Sequence, residues 1–153
     1  MNLPRINIPL VLEIWDWLQH PGEGGTPAWS QGVWATDDQD ELAHSKEYSE
    51  KYKIGNADIP DDYCGSACCV AGYAMRDQTQ FANGTPSLRH GFTWSPDGDT
   101  LAHDVDDWST AAGNRLGLTG YEADLLFAGS NTKERIRSLL NEFLADRGET
   151  VRL

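Results

Sequence analysis

Apolar residues recur at helical spacing in several stretches of the chain and lose that period between them. Val11, Ile14, Trp15 and Leu18 fall at i, i+3, i+4 and i+7. They follow Pro9, whose fixed φ suits a first helical turn, so residues 9–20 are predicted to form an amphipathic helix that stops at His20-Pro21-Gly22. Near the other end, Val105, Trp108, Ala112 and Leu116 mark one face of a helix, with Gly117 as its stop. Thr119 and Glu122 have the spacing of a capping box in front of Ala123, Leu125, Leu126 and Phe127. Asn131 and Glu134 repeat that spacing, and Ile136, Leu139, Leu140, Phe143 and Leu144 carry a last helix to Gly148.

The middle of the chain is less regular. The segment GEGGTPAWSQGVWATDDQDE reads as an irregular loop pinned to the core by Trp29 and Trp34, and residues 37–53 as a polar helix with a weak apolar period. A helix is expected from 65 to 76, with Asp61, Asp62 and Ser66 as candidate caps. Ser95-Pro96-Asp97-Gly98 is turn chemistry, which predicts a short hairpin over 91–103. The expected fold is mainly α: one domain over residues 1–153, a small bundle of about five helices with long loops and one short β-hairpin.

Composition adds exclusions. A chain of 153 residues, 39% of them hydrophobic, can bury one real core. Twenty-four acidic against 12 basic residues leave a net charge of -12, which repels phosphate backbones and anionic lipid surfaces. Neither direct nucleic-acid binding nor a membrane partner is expected. Glu13 and Asp16 interrupt the one apolar run near the N-terminus, so a cytoplasmic protein is expected. No phosphate-binding loop, dinucleotide-binding glycine pattern or serine elbow is present, and no cofactor is predicted.

All three cysteines lie within YCGSACCVAGYAM, Tyr63 to Met75. On a continuous helix Cys64, Cys68, Ala71 and Met75 would share a face, with Cys69 well away beside Tyr73 and Arg76. The small residues Ala67, Ala71, Gly72 and Ala74 then suggest a seam that another helix or a tryptophan approaches closely. The sharper alternative is a nucleophile. Cys64 at a helix entry would be activated by the helix dipole, with His90 or His103 as base and Asp104 or Asn114 as orienting group. A zinc site built from Cys64, Cys68 or Cys69 with His44, His90 or His103 would lack the second cysteine or histidine pair that zinc knuckles use, and no metal is predicted. Six tryptophans exceed what a small core needs, which makes Trp29, Trp34 and Trp94, with Tyr73, candidates for a ligand or partner surface.

The run Cys64-Gly65-Ser66-Ala67-Cys68-Cys69-Val70-Ala71-Gly72-Tyr73-Ala74 is followed by Leu116-Gly117-Leu118-Thr119, Glu122-Ala123 and Leu126-Phe127. Together these resemble a family of small uncharacterised proteins of bacteriophages and actinobacteria, which read C-G-T-x-x-C-I-A-G-W or C-G-T-x-x-C-I-A-G-H and then L-G-L-T-x-x-E-A-x-x-L-F. The resemblance covers residues 63–74 and 112–145, with a weaker echo at Trp29 to Trp34. Ser66, Val70 and Tyr73 depart from the pattern, and Cys68 falls at a variable place. The family implies context rather than chemistry: a phage-type accessory protein that acts, without catalysis, by binding a host protein or a small molecule. Two alternatives stay open, a cysteine-dependent hydrolase or transferase using Cys64, and an acidic DNA-mimic inhibitor.

Overall fold

In the computed structural model, which describes residues 2–82, 85–88, 92–94, 101–104 and 108–153, the first helix α1 spans Ile8–Gln19. The side chain of Asn7 accepts a hydrogen bond from the Leu10 amide and caps it, with Pro9 in the first turn. Val11, Ile14 and Leu18 are fully buried, as their spacing requires. The aromatic member of that face is Trp17 rather than Trp15. Trp17 is buried, with its indole N–H donating to the Pro27 carbonyl at 2.7 Å, whereas Trp15 is half-buried beneath Arg137.

A small mixed sheet follows, which the expectation of a mainly α fold with one short hairpin did not include. Strands β1 (Ala28–Ser30), β2 (Ala35–Thr36), β3 (Ala57–Asp58) and β4 (Ala67–Cys68) lie in the order β2-β4-β1-β3. β4 runs parallel to β1 and antiparallel to β2, and β3 closes the other edge antiparallel to β1. Two- and three-residue strands are too short to display a period of two, so nothing in the local pattern marked them. The helix expected over 65–76 is largely replaced. Residues 64–66 are loop, Ala67 and Cys68 form the inner strand β4, and helix α3 is confined to Val70–Ala74, followed by a 3₁₀ turn at Arg76–Gln78. Ala67 and Cys68 are small enough to be buried with a strand on either side.

Between β2 and β3 runs helix α2 (Gln39–Tyr52), capped by the Asp38 carboxylate on the amides of Asp40 and Glu41. It buries Leu42 and Ser49 alone, in keeping with its polar sequence. Leu42 joins Ala28, Ile59 and Ala67 in a satellite cluster apart from the main core. Two hairpins come next. β5 (Thr79–Ala82) pairs with β6 (Thr85–Leu88), and β7 (Phe92–Trp94) pairs with β8 (Leu101–Asp104), the hairpin predicted over 91–103.

Helices α4 (Trp108–Leu116), α5 (Gly120–Leu126) and α6 (Lys133–Asp146) pack with α1 and α3 around the main core. The capping box forms as predicted: the Thr119 hydroxyl accepts from the Glu122 amide, and the Glu122 carboxylate accepts from the Thr119 amide. Gly117 ends α4 at φ 78°, a conformation that favours glycine. At α6 the cap is Thr132, not Asn131. Asn131 instead donates to the carbonyls of Leu125 and Leu126, closing the end of α5. Helices dominate, but the fold is mixed α/β. No helix among the described residues is long and apolar enough to cross a membrane.

Candidate functional site

The cysteine segment is built from three different environments. Tyr63 anchors its start: the hydroxyl donates to the Ser66 carbonyl at 2.6 Å and accepts from the Ala28 amide at 3.2 Å. Gln39 reaches over from α2 to the carbonyls of Cys64 and Gly65. Cys64 itself is exposed in this loop. It precedes α3 by more than a turn's length of chain, so the helix-entry position assigned to it from the sequence does not exist. The helical wheel that spread the three cysteines over two faces falls with it.

Cys68 and Cys69 are buried. Burial pushes the Cys69 thiol up to about 11, against the opposing pull of nearby backbone amides, and raises Cys68 well above the ordinary thiol value. Both remain protonated at neutral pH, and a thiol rather than a thiolate is a poor nucleophile and metal ligand. Among the described residues, no three of histidine, cysteine, aspartate and glutamate gather as a metal site would require. His90 lies outside the described residues, and His103, Asp104 and Trp94 are described by their strand backbones alone. His44 is exposed on α2, and Asn114 lies within α4.

The exposed loop position of Cys64, against the burial of Cys68 and Cys69, sets a test. At neutral pH, iodoacetamide is expected to label the folded protein at Cys64 alone, at a rate within a few-fold of a short cysteine peptide. Cys68 and Cys69 label only once denaturant is added. Labelling of Cys64 tens of times faster than the peptide would restore the nucleophile reading.

The small-residue seam is real, but what crosses it is backbone. A Cβ on Gly72 would lie 1.7 Å from the Trp34 carbonyl oxygen and 2.6 Å from the Cys68 Cβ. The Cys69 amide donates to the Val33 carbonyl at 2.9 Å, and the Cys69 thiol faces the Trp34 carbonyl at 3.9 Å. The peptide 33–34 is therefore clamped across the start of α3.

This clamp fixes the side chain of Trp34. Its indole stacks nearly parallel to Trp108, with centroids 6.3 Å apart, and meets Phe127 edge-on at 6.4 Å. It is nevertheless 39% exposed. Beside it a cleft of about 210 Å³ is lined by Gly32, Val33, Trp34, Cys69 and Phe127. The other predicted aromatics are placed differently. Trp29 is buried, with its indole N–H donating to Gln31, and Tyr73 is buried between Trp17 and the Arg76 guanidinium. Of the four candidates, Trp34 is the one whose described ring reaches solvent.

Two features escaped the sequence reading. Gln31 is buried at the junction of three elements: its carbonyl oxygen accepts from Trp29 and from the Val70 amide at the start of α3, and its amide donates to the Leu126 carbonyl at 3.0 Å. No local signal marks a glutamine for that role. On α2, His44, Tyr48 and Tyr52 form an exposed ladder. Their i, i+4, i+8 spacing in a polar helix was the available signal.

Comparison of the chain with family models, with curated proteins and with solved structures finds no match.

Proposed function

We propose that this chain is a non-catalytic binding protein of the phage accessory type, acting on a protein of the host cytoplasm through the Trp34 surface. The observation that carries the reading is a large aromatic ring held half in solvent by a rigid backbone clamp. Tryptophan is the residue most enriched at interface hot spots, and a ring already immobilised loses little entropy on binding. Trp108 and Phe127 hold the indole from beneath, so its exposed part presents a fixed shape.

The size of the adjoining cleft favours a protein over a metabolite. Sites for drug-sized ligands hold roughly 300–1,000 Å³, and this one is about 210 Å³. It suits one side chain of a partner. The resemblance of YCGSACCVAGYAM and LGLT to small phage and actinobacterial proteins supports the same context.

Immobilised wild-type protein and Trp34→Ala, incubated in parallel with lysate of the host bacterium, test this reading. A host protein retained by the wild type and lost from the variant is the expected result, with far-UV circular dichroism unchanged between the two. Equal retention by both would remove Trp34 from the binding surface.

A further inference from the structure

We infer that the exposed tyrosine face of α2 is a docking site for an arginine-rich segment of a partner protein. The inference rests on the reading of the chain as a protein binder and names the chemistry of the partner. α2 is held to the body from one side, by Leu42, by the Ser45 hydroxyl 2.5 Å from that of Ser30, and by Ser49. Tyr48 and Tyr52 point elsewhere, 48% and 57% exposed, with ring centroids 4.7 Å apart. His44 continues the row at 6.4 Å from Tyr48. Neither ring belongs to the main core or to the satellite cluster, and what they give the fold is the small i, i+4 contact along the helix.

Charge says what the row would accept. Glu41 lies on the same helical stripe, Asp40 and Glu47 flank it, and Asp37 and Asp38 extend the acidic end beyond the helix start. An aromatic row with carboxylates at one end and along one flank attracts a cation twice over, by the ring quadrupole and by Coulomb attraction. The molecule already does this on a small scale: the Lys51 ammonium sits 5.4 Å from the Tyr52 centroid. Arginine fits better than lysine, because its planar guanidinium stacks on rings and is less strongly hydrated.

Other occupants fit worse. Nucleic acid and anionic lipid are repelled by the net charge of -12. A second copy of this chain would bring the same acidic surface toward itself in a two-fold dimer. Its own Lys46, Arg76, Arg115, Lys133 and Arg147 are engaged in ion pairs with Asp61, Glu13, Asp77, Asp58 and Glu122. With 12 basic against 24 acidic residues in this chain, a partner protein of opposite net charge is the better source of the cations.

The test is a titration of the full chain with a fluorescein-labelled peptide of alternating arginine and glycine, with lysine-glycine and glutamate-glycine twins. The arginine peptide is expected to bind best, several-fold tighter than the lysine twin, and to weaken steeply with added salt. Tyr48→Gln with Tyr52→Gln should weaken it about tenfold, the sum of two exposed cation–π contacts. Lys51→Gln, which removes the competing cation over Tyr52, should tighten it. Tyr121→Gln, an exposed tyrosine on α5, should leave it unchanged. Wild-type affinity in the double variant, equal binding of the arginine and lysine peptides, or weaker binding by Lys51→Gln would each overturn the inference. The outcome is separate from the lysate comparison with Trp34→Ala, so the two readings can fail independently.

Discussion

Replacing Arg147 by methionine is expected to lower the free energy of unfolding by about 3–5 kcal/mol, the range for removing one partner of a buried ion pair. All five guanidinium N–H groups are used. Nη1 and Nη2 form the paired bonds to the Glu122 carboxylate at 2.8 and 2.7 Å, and the remaining donors reach the carbonyls of Pro4, Phe143 and Gly117. The two side chains are 5% and 8% exposed, so water cannot substitute for a lost partner. Glu122 also accepts from the Thr119 amide, which ties the pair to the cap of α5. The variant leaves a buried carboxylate with its counter-charge gone, and the lost N–H donors leave three carbonyls with fewer partners.

Burial pushes the Glu122 carboxyl up, but the Arg147 guanidinium and the Thr119 amide outweigh it and hold the group below its usual value. A carboxyl lowered on folding contributes stability that is complete above its unfolded pKa, about 4.3, and is lost as pH falls through the lower folded value. Urea unfolding of the wild type should therefore weaken progressively below about pH 4.3. Glu122→Gln should flatten that part of the profile. The double variant Glu122→Gln, Arg147→Met should recover part of the single loss, since no unpaired charge remains. A loss under 1 kcal/mol for Arg147→Met at neutral pH would mean that the pair is worth no more than one on the surface.

Gly72→Ala carries the second large effect, a net loss of about 2–4 kcal/mol. Helix propensity alone predicts the reverse, because alanine is better than glycine inside a helix by about 1 kcal/mol. Steric overlap wins. The new Cβ would meet the Trp34 carbonyl at 1.7 Å, and that carbonyl belongs to backbone held by the Val33–Cys69 hydrogen bond and by the pairing of β2 with β4. It can retreat only by prising the sheet from α3. Gly120→Ala is the contrast, since a Cβ there meets nothing. Thermal unfolding should show Gly72→Ala melting well below wild type and Gly120→Ala at or above it. A Gly72→Ala protein as stable as the wild type would show that the clamp yields easily, and the rigidity assigned to Trp34 would go with it.

The cysteine segment departs furthest from the path its sequence suggests. A uniform helix over residues 65–76 placed Cys64 at a dipole and Cys68 on its face. The actual path, loop then strand then short helix, leaves Cys64 in an exposed loop and the other two thiols buried. The small residues were correctly legible as a close-packed seam. Their partner was not, because it is a backbone carbonyl contributed from more than thirty residues earlier in the chain. Likewise Trp29 and Trp34 look alike in sequence, each beside an alanine in the same glycine-rich segment. One is buried with its N–H on Gln31, and the other is turned out over Trp108.

What the sequence by itself determined are the features whose physics is local. Proline in the first turn of α1, the Thr119–Glu122 box, glycine after α4 and the apolar row of α6 each act within one or two turns of helix, so they could be read without the fold. The antiparallel pairing of β7 with β8 agrees with the hairpin expected over 91–103, whose turn residues Ser95 to Gly98 lie outside the described residues. Only the tertiary structure decided the rest. A two-residue strand exists because neighbouring strands complete its hydrogen bonds, and a buried arginine is stable because two distant carbonyls and a distant carboxylate converge on it. Which aromatic faces solvent depends on packing between elements far apart in the chain, and no window of neighbouring residues contains that information.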